Sequence, residues 1–446
     1  MAYFDKYGVE FSDDRTTLIR CPKNFEGTYI IPNCVTNIGG WAFSDCSSLT
    51  SVIIPDSVTS IGDRAFSDCS SLASVMIPNN VTSIGGWAFM NCSSLTSPIY
   101  NEHYFVYMPT SYSGIYIIPR GIKHIADGAF YNCSALTSIT IPCSVTNLGN
   151  AIFDSCSSLI SIKVDSDNTK YDSREQCNAI IETATNALIA GCQCTKIPNS
   201  VESIGDAAFA GRISSDLFIL TDNIKSIGDD AFADCSFKSV ILHQNLEHIG
   251  ERAFQNCNLL TSISIPESVT EIGNSAFSGC SALTSITIPN KITSIESELF
   301  LGCTSLTSIT IPNSITTIES CAFEGCKSLE SITIPKNVTL IFSTAFNNCS
   351  AIVSIKVEEG NTKYDSRNHC NAIIETKTKS LCVGCKETKI PNDITRIQSC
   401  AFKGCSTLSH ITIPGSVKDI GWSTFEGCSS LSSIIIPDGI TKINSK

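Results

Sequence analysis

Apolar residues return along this chain with a fixed step. The stretch beginning at Leu283 reads LTSITIPNKITSIESELFLGCTS, with apolar side chains at Leu283, Ile286, Ile288, Ile292, Ile295, Leu299, Phe300 and Cys303. Ser-Ile-Thr-Ile alternates with period two and is β-branched, which predicts a short strand, here Ile286 to Ile288 and earlier Ile139 to Ile141. Proline ends that strand, since it has no N–H for a ladder. Ile-Thr-Ser-Ile predicts a second extended piece. The Phe-x-x-Cys element behind it is long enough for about one helical turn. A Cys-Ser-Ser turn then leads to the next strand.

The same frame recurs. The prolines of the Ile-Pro pair stand at Pro32, Pro55, Pro78, Pro119, Pro142, Pro198, Pro266, Pro289, Pro312, Pro335, Pro391, Pro414 and Pro437, and the step within each run is 23 residues. Thr221 and His243 hold the proline slot in two further coils. A phenylalanine recurs fourteen times, from Phe43, Phe66 and Phe89 through Phe277, Phe300 and Phe323 to Phe425. A cysteine follows three residues later in every coil but one, for instance Cys280, Cys303 and Cys326; Arg212 replaces it after Phe209. A period near 23 lies in the leucine-rich-repeat range. No coil can bury its own Ile, Leu and Phe, but stacked coils bury them against their equivalents. The expected fold is therefore a leucine-rich-repeat solenoid over 1–446, wound right-handed as parallel crossovers are. Each coil of about 23 residues should carry a short parallel strand and a short helical turn.

Four segments break the frame. Residues 165–197 and 358–390 are near-copies: NTKYDSR at Asn168 recurs at Asn361, and CNAIIET at Cys177 recurs at Cys370. Each has two apolar runs around a polar turn, which predicts a β-hairpin insertion. A shorter relative occupies 98–118. The start of the chain, 1–31, matches it (PKNFEGTYIIP against PTSYSGIYIIP) and is expected to be a capping hairpin. The closing coil, which ends INSK, lacks a Phe-x-x-Cys and is expected to leave its core poorly covered.

Composition narrows the function. Net charge is −12 and the isoelectric point is about 5.0, which argues against a nucleic-acid partner, since phosphate binding needs a concentrated basic surface. No apolar run is long enough to cross a membrane as a helix. The first residues show no basic region followed by an apolar one, so no signal peptide is visible. There are 24 cysteines, most of them at the one ladder position, where cysteine acts as a small buried hydrophobe. Thirteen stacked equivalents cannot pair off evenly, which favours a reduced column over disulfides or metal. Cys177 with Cys192, and Cys370 with Cys385, recur at one separation and leave a disulfide open outside the cell. The six histidines fall at unrelated positions, and no nucleophile elbow, P-loop or zinc motif is present. Asp165 and Asp167 lack the glycine and distal glutamate of a calcium loop. No catalytic residue, metal or cofactor is expected.

The consensus IPxSVTSIGxxAFxxCSSLTSITIP resembles the BspA-like, or type-5, leucine-rich repeats, over nearly the whole chain. That family is abundant in surface proteins of host-associated anaerobic bacteria and occurs in some protists. The resemblance implies a non-enzymatic, adhesin-like binder of host extracellular-matrix or plasma proteins at the cell surface. The missing leader keeps an intracellular interaction scaffold as the alternative. Outward strand positions such as Thr287, Thr310 and Thr333 predict a solvated hydroxyl face. Exposed aromatic and charged anchors are expected in the insertions, at Tyr104, Phe105, Tyr107, Tyr112, Tyr116, Tyr171, Arg174, Tyr364 and Arg367, with Phe25 and Tyr29 near the start.

Overall fold

A computed structural model describes residues 2–443. The expectation for the closing INSK concerns mostly 444–446, outside the described residues. Contacts divide the chain into two units, Met1–Ile213 and Ser214–Lys446. Both are built from parallel coils.

In the second unit, Leu217–Ile219, Ser239–Ile241, Ser262–Ser264 and Ser285–Thr287 form a parallel ladder of the Ser-Ile-Thr strands. Ile263 pairs in register with Ile286, one coil on, and both point inward. The short Ser-Ile pieces after the proline make a second parallel ladder, such as Ser294–Ile295, Thr317–Ile318 and Leu340–Ile341. The first unit repeats both, with Gly27–Ile30, Leu49–Ile53 and Ser74–Val75 in one ladder and Asn37–Ile38, Ser60–Ile61 and Ser83–Ile84 in the other.

The Phe-x-x-Cys stretch is not a helical turn. Around Phe43, Trp41 and Asp45 sit in the left-handed region at φ 55° and 62°. A left-handed residue two positions to either side of Phe43 breaks the helical path, so that every second N–H points to the next coil while Ala42 and Ser44 donate back to Gly39 and Trp41. Trp41, Phe43 and Asp45 thus donate to the carbonyls of Asp63, Ala65 and Ser67 at 2.9, 2.7 and 2.9 Å, making a third intercoil ladder. The residue before each ladder cysteine is one of the two that turn left-handed. It is Asp45, Asp68 or Asn91 in early coils and Gly279, Gly302 or Gly325 later, all types that tolerate that region. The only helical segments among the described residues are the 3-10 turns Arg174–Gln176 and Arg367–His369, both inside insertions.

Antiparallel pairing is confined to the cap and the breaks. Tyr3–Phe4, Glu10–Phe11 and Thr17–Arg20 form the antiparallel cap, and Thr17–Arg20 hands over to the parallel ladder at Asn37–Ile38. Gly27–Ile30 is a parallel coil strand, not part of a hairpin: it pairs in parallel with Leu49–Ile53 and has no antiparallel partner among the described residues. In the paired insertions, Ala179–Glu182 pairs antiparallel with Ala187–Gly191, and Ala372–Glu375 with Ser380–Gly384. Ala187–Gly191 then pairs in parallel with Ser203–Ile204, and Ser380–Gly384 with Arg396–Ile397. The insertions therefore stand in the second ladder as coils of altered shape.

Candidate functional site

The inward side of every coil is committed to packing. Phe43, Phe66 and Phe89 stack with centroids 4.9 and 5.0 Å apart and planes within 9° and 4°. Phe277, Phe300 and Phe323 continue the pattern in the second unit at 6.0 and 5.5 Å. All six rings are buried. Cys280, Cys303 and Cys326 are buried beside them, and each thiol donates to the carbonyl of the phenylalanine one coil earlier, Phe254, Phe277 and Phe300, at 3.1, 3.2 and 3.3 Å. This explains why the slot holds cysteine and not alanine. The carbonyl already accepts the N–H of its own coil's cysteine, and a second lone pair would otherwise face an apolar core. Arg212, buried in the same slot, caps carbonyls too, donating from Nη2 to Ala208 and, at 2.7 Å, to Ala207.

Burial pushes the thiols of Cys156, Cys349 and Cys405 up to about 12. Only Cys34, Cys143 and Cys194 are exposed. Native protein should therefore show a fast-labelling class of about three thiols, with the ladder reacting only on unfolding. Rapid native labelling of most of the 24 would contradict the burial. The shift also fixes a pH dependence. An unfolded thiol ionises near 9 while the buried one stays protonated to about 12, so the unfolded state holds fewer protons in that window. Stability should fall as pH rises through it and be unaffected by these groups below it.

The three internal breaks share a clip that escaped the sequence reading. Asn168 donates from Nδ2 to the carbonyls of Pro142 and Val145 at 3.0 and 2.9 Å, and its Oδ1 accepts the N–H groups of Lys170 and Tyr171, both at 2.9 Å. Asn361 makes the same four bonds to Pro335, Val338, Lys363 and Tyr364. Asn101 does so with Pro78, Val81, His103 and Tyr104. One side chain ties the Pro-x-x-Val turn of the preceding coil to the start of the altered one. Asn101, Asn168 and Asn361, each shortly before a tyrosine, were the available signal.

This placement overturns several expected anchors. Phe105 is buried and stacks on Phe130 at 4.8 Å, because strand Tyr104–Tyr107 replaces the missing Phe-x-x-Cys element and supplies its ring. Tyr107 is buried, with its hydroxyl donating to Cys92 at 3.4 Å. Tyr171 and Tyr364 are buried under their hairpins, and the Tyr364 hydroxyl accepts the N–H of Ile341 at 3.2 Å. Tyr29 is buried with its hydroxyl on Asp5 at 2.7 Å, and Phe25 packs against it edge-on. None of these is an exposed anchor. Tyr104, Tyr112 and Tyr116 are half-buried; Tyr104 stacks on His124 at 4.5 Å, and Tyr112 meets Tyr116 edge-on. Arg174 and Arg367 are half-exposed but engaged by Asp172 and by Asp365 with Asp393, which raise their already high proton affinity. Phe105, Tyr107, Tyr171 and Tyr364 thus serve the packing of the breaks.

Outward strand positions are what remains open. In the first unit Ile30 is opposite Ile53, and Met76 follows one residue beyond the Val52–Val75 pair. Their exposures are 65%, 51% and 82%, an apolar column one residue wide and three coils long. Farther along that unit Ile117, Thr140 and Lys163 share a column. In the second unit Ile219 and Ile241 are paired and exposed, and the equivalents beyond them are Ser264, Thr287 and Thr310. Within each unit these outward positions thus pass from apolar to hydroxyl or charged side chains. No group of three or more metal-ligating side chains occurs among the described residues, and no helix there is long and apolar enough to cross a membrane.

Parallel coils with a strand each and a phenylalanine ladder define a leucine-rich-repeat protein. The BspA-type leucine-rich-repeat region matches at 23–112, 100–186, 185–303, 270–380 and 372–446, and the chain belongs to that family. No curated protein matches it. Similar solved structures include a leucine-rich repeat protein of Eubacterium ventriosum, 21% identical over 98% of this chain and 95% of that one, with a TM-score of 0.47. A leucine-rich cell surface protein of Faecalibacterium prausnitzii is 29% identical over 80% and 95%, at 0.45. The pneumococcal vaccine antigen PcpA is 21% identical over 80% and 78%, at 0.46.

Proposed function

We propose that this chain is a non-enzymatic, protein-binding repeat protein, adhesin-like in engaging extracellular-matrix or plasma proteins, and that it binds with the outward strand face. The observation that carries the reading is the column Ile30, Ile53 and Met76. Three exposed apolar side chains in register on a solvated sheet give no stability to the fold, and a lone apolar residue is ordinary where an aligned row is not. Membership of the BspA-type family supports binding as the activity, since the inward residues of the fold are consumed by packing.

The test uses purified matrix and plasma proteins against the immobilised chain. A partner captured by the native chain should be lost, by about tenfold or more in affinity, when Ile53→Ser and Met76→Ser are combined. The double variant should keep its melting temperature, because neither side chain is buried. Undiminished affinity for every captured partner would remove this face from the reading.

A further inference from the structure

The geometry points to a second, separate binding groove on the strand face of the second unit, built to take an extended acidic peptide segment as an added strand. This rests on the protein-binding reading and gives it a partner chemistry. The groove is a cavity of about 500 Å³ between the return segment of the 358–390 insertion and the coil after it.

Its origin lies in the ladder. Along this unit the N–H groups of Thr284, Thr307, Glu330 and Val353 each donate to the coil before, at 2.9 to 3.3 Å. Ser409 holds the same slot. At the turn end its coil stacks directly on the coil of Phe346: the Asn348 N–H donates to Lys403 at 3.0 Å, and the Thr407 hydroxyl to Ser350 at 2.7 Å. At the strand end the return segment comes in, but it is held to its own hairpin. Lys389 donates its N–H to Cys370 and Thr388 to Cys385, at 3.0 and 3.1 Å. Residues 409–412 therefore have a ladder partner on one side only, the Thr412–Ile435 bridge. Among the described residues the Ser409 N–H has no partner on the other. An unpaired strand edge that borders a groove is a template for one more strand.

The side chains around it select the occupant. Lys386, Lys389 and His410 line the groove against the single carboxylate of Glu387. Neither lysine makes an ion pair among the described residues, in a chain whose net charge is −12. Ile390 and Ile411 form an apolar floor, and Ile411 is buried. An extended peptide presents alternate side chains to one face, so acidic residues at every second position would reach the lysines while its backbone meets the strand edge.

The experiment measures fluorescence anisotropy of the full chain with three labelled probes. They are a peptide of alternating Glu and Ser, its Gln and Ser counterpart, and the acidic peptide with alternate backbone nitrogens methylated. The acidic peptide should bind; the neutral and methylated ones should bind at least about tenfold more weakly. Lys386→Glu combined with Lys389→Glu should weaken the acidic peptide by at least about tenfold at unchanged melting temperature. Equal binding of the neutral peptide, equal binding of the methylated one, or no effect of charge reversal would each overturn the proposal. So would binding of a sulfated oligosaccharide with none of the acidic peptide. Capture of a protein partner through Ile53 and Met76 is a separate readout, so failure of the peptide would sink the groove and leave the broader reading standing.

Discussion

Phe300→Ala should lower the stability of the chain by about 3–5 kcal/mol, among the largest effects available from one substitution. Phe300 is essentially inaccessible and its ring lies between those of Phe277 and Phe323, at 6.0 and 5.5 Å. Removing it strips a face from both neighbours at once. The hole cannot close easily, because the coil spacing is fixed by three backbone ladders that the side chain does not control. The Cys326 thiol, which donates to the Phe300 carbonyl at 3.3 Å, would be exposed to the same cavity. Stability in a stacked array is a sum of coil and neighbour terms, so the damage should be local and register as early unfolding of the flanking coils. Phe300→Leu should recover much of the loss by refilling volume, though not the ring stacking. Urea unfolding followed by circular dichroism would measure it. A loss under about 1 kcal/mol would mean that the ring does not carry the stack.

How far such effects could be foreseen depended on whether the frame of 23 held. Where it did, alternation in Ser-Ile-Thr-Ile placed the inward Ile263 and Ile286 and the outward Thr287 and Thr310, because strand pleat has a strict period of two. The turn was misread. Ala-Phe-x-x-Cys has the length of a helical turn, but the Asp, Asn or Gly before every ladder cysteine except Cys156, which follows Ser155, carried the contrary message of a left-handed residue, as at Asp45 and Gly302. Phe105 was read as exposed because it lies 16 residues after Phe89, outside the repeat step. Its place in the ring stack is set by which strand lies beside His124–Ile125, a tertiary fact that spacing along the chain does not encode. The thiol-to-carbonyl bonds were equally hidden, since cysteine as a small hydrophobe accounts for the same column.

Replacing Asn168 is the second large effect, and two substitutions separate its cause. Asn168 is buried and makes four hydrogen bonds, two as donor to Pro142 and Val145 and two as acceptor from Lys170 and Tyr171. Asn168→Ala removes all four and leaves the Lys170 and Tyr171 N–H groups to find water, so at about 1 kcal/mol each the loss should reach about 2–4 kcal/mol. Asn168→Asp has nearly the same shape and keeps both acceptor bonds. It loses both donors and sets a buried carboxylate against two carbonyl oxygens, so at neutral pH it should destabilise at least as much as alanine. Asn361→Ala should follow the same pattern with a smaller loss, because that side chain is only half-buried and water can replace part of its network. Amide hydrogen exchange supplies the local readout: Lys170 and Tyr171 should lose protection in both Asn168 variants if the hairpin is released, and in the alanine variant alone if it stays docked. An Asn168→Asp protein with native stability and native exchange at every site would show that the clip does not hold the insertion to the coil before it.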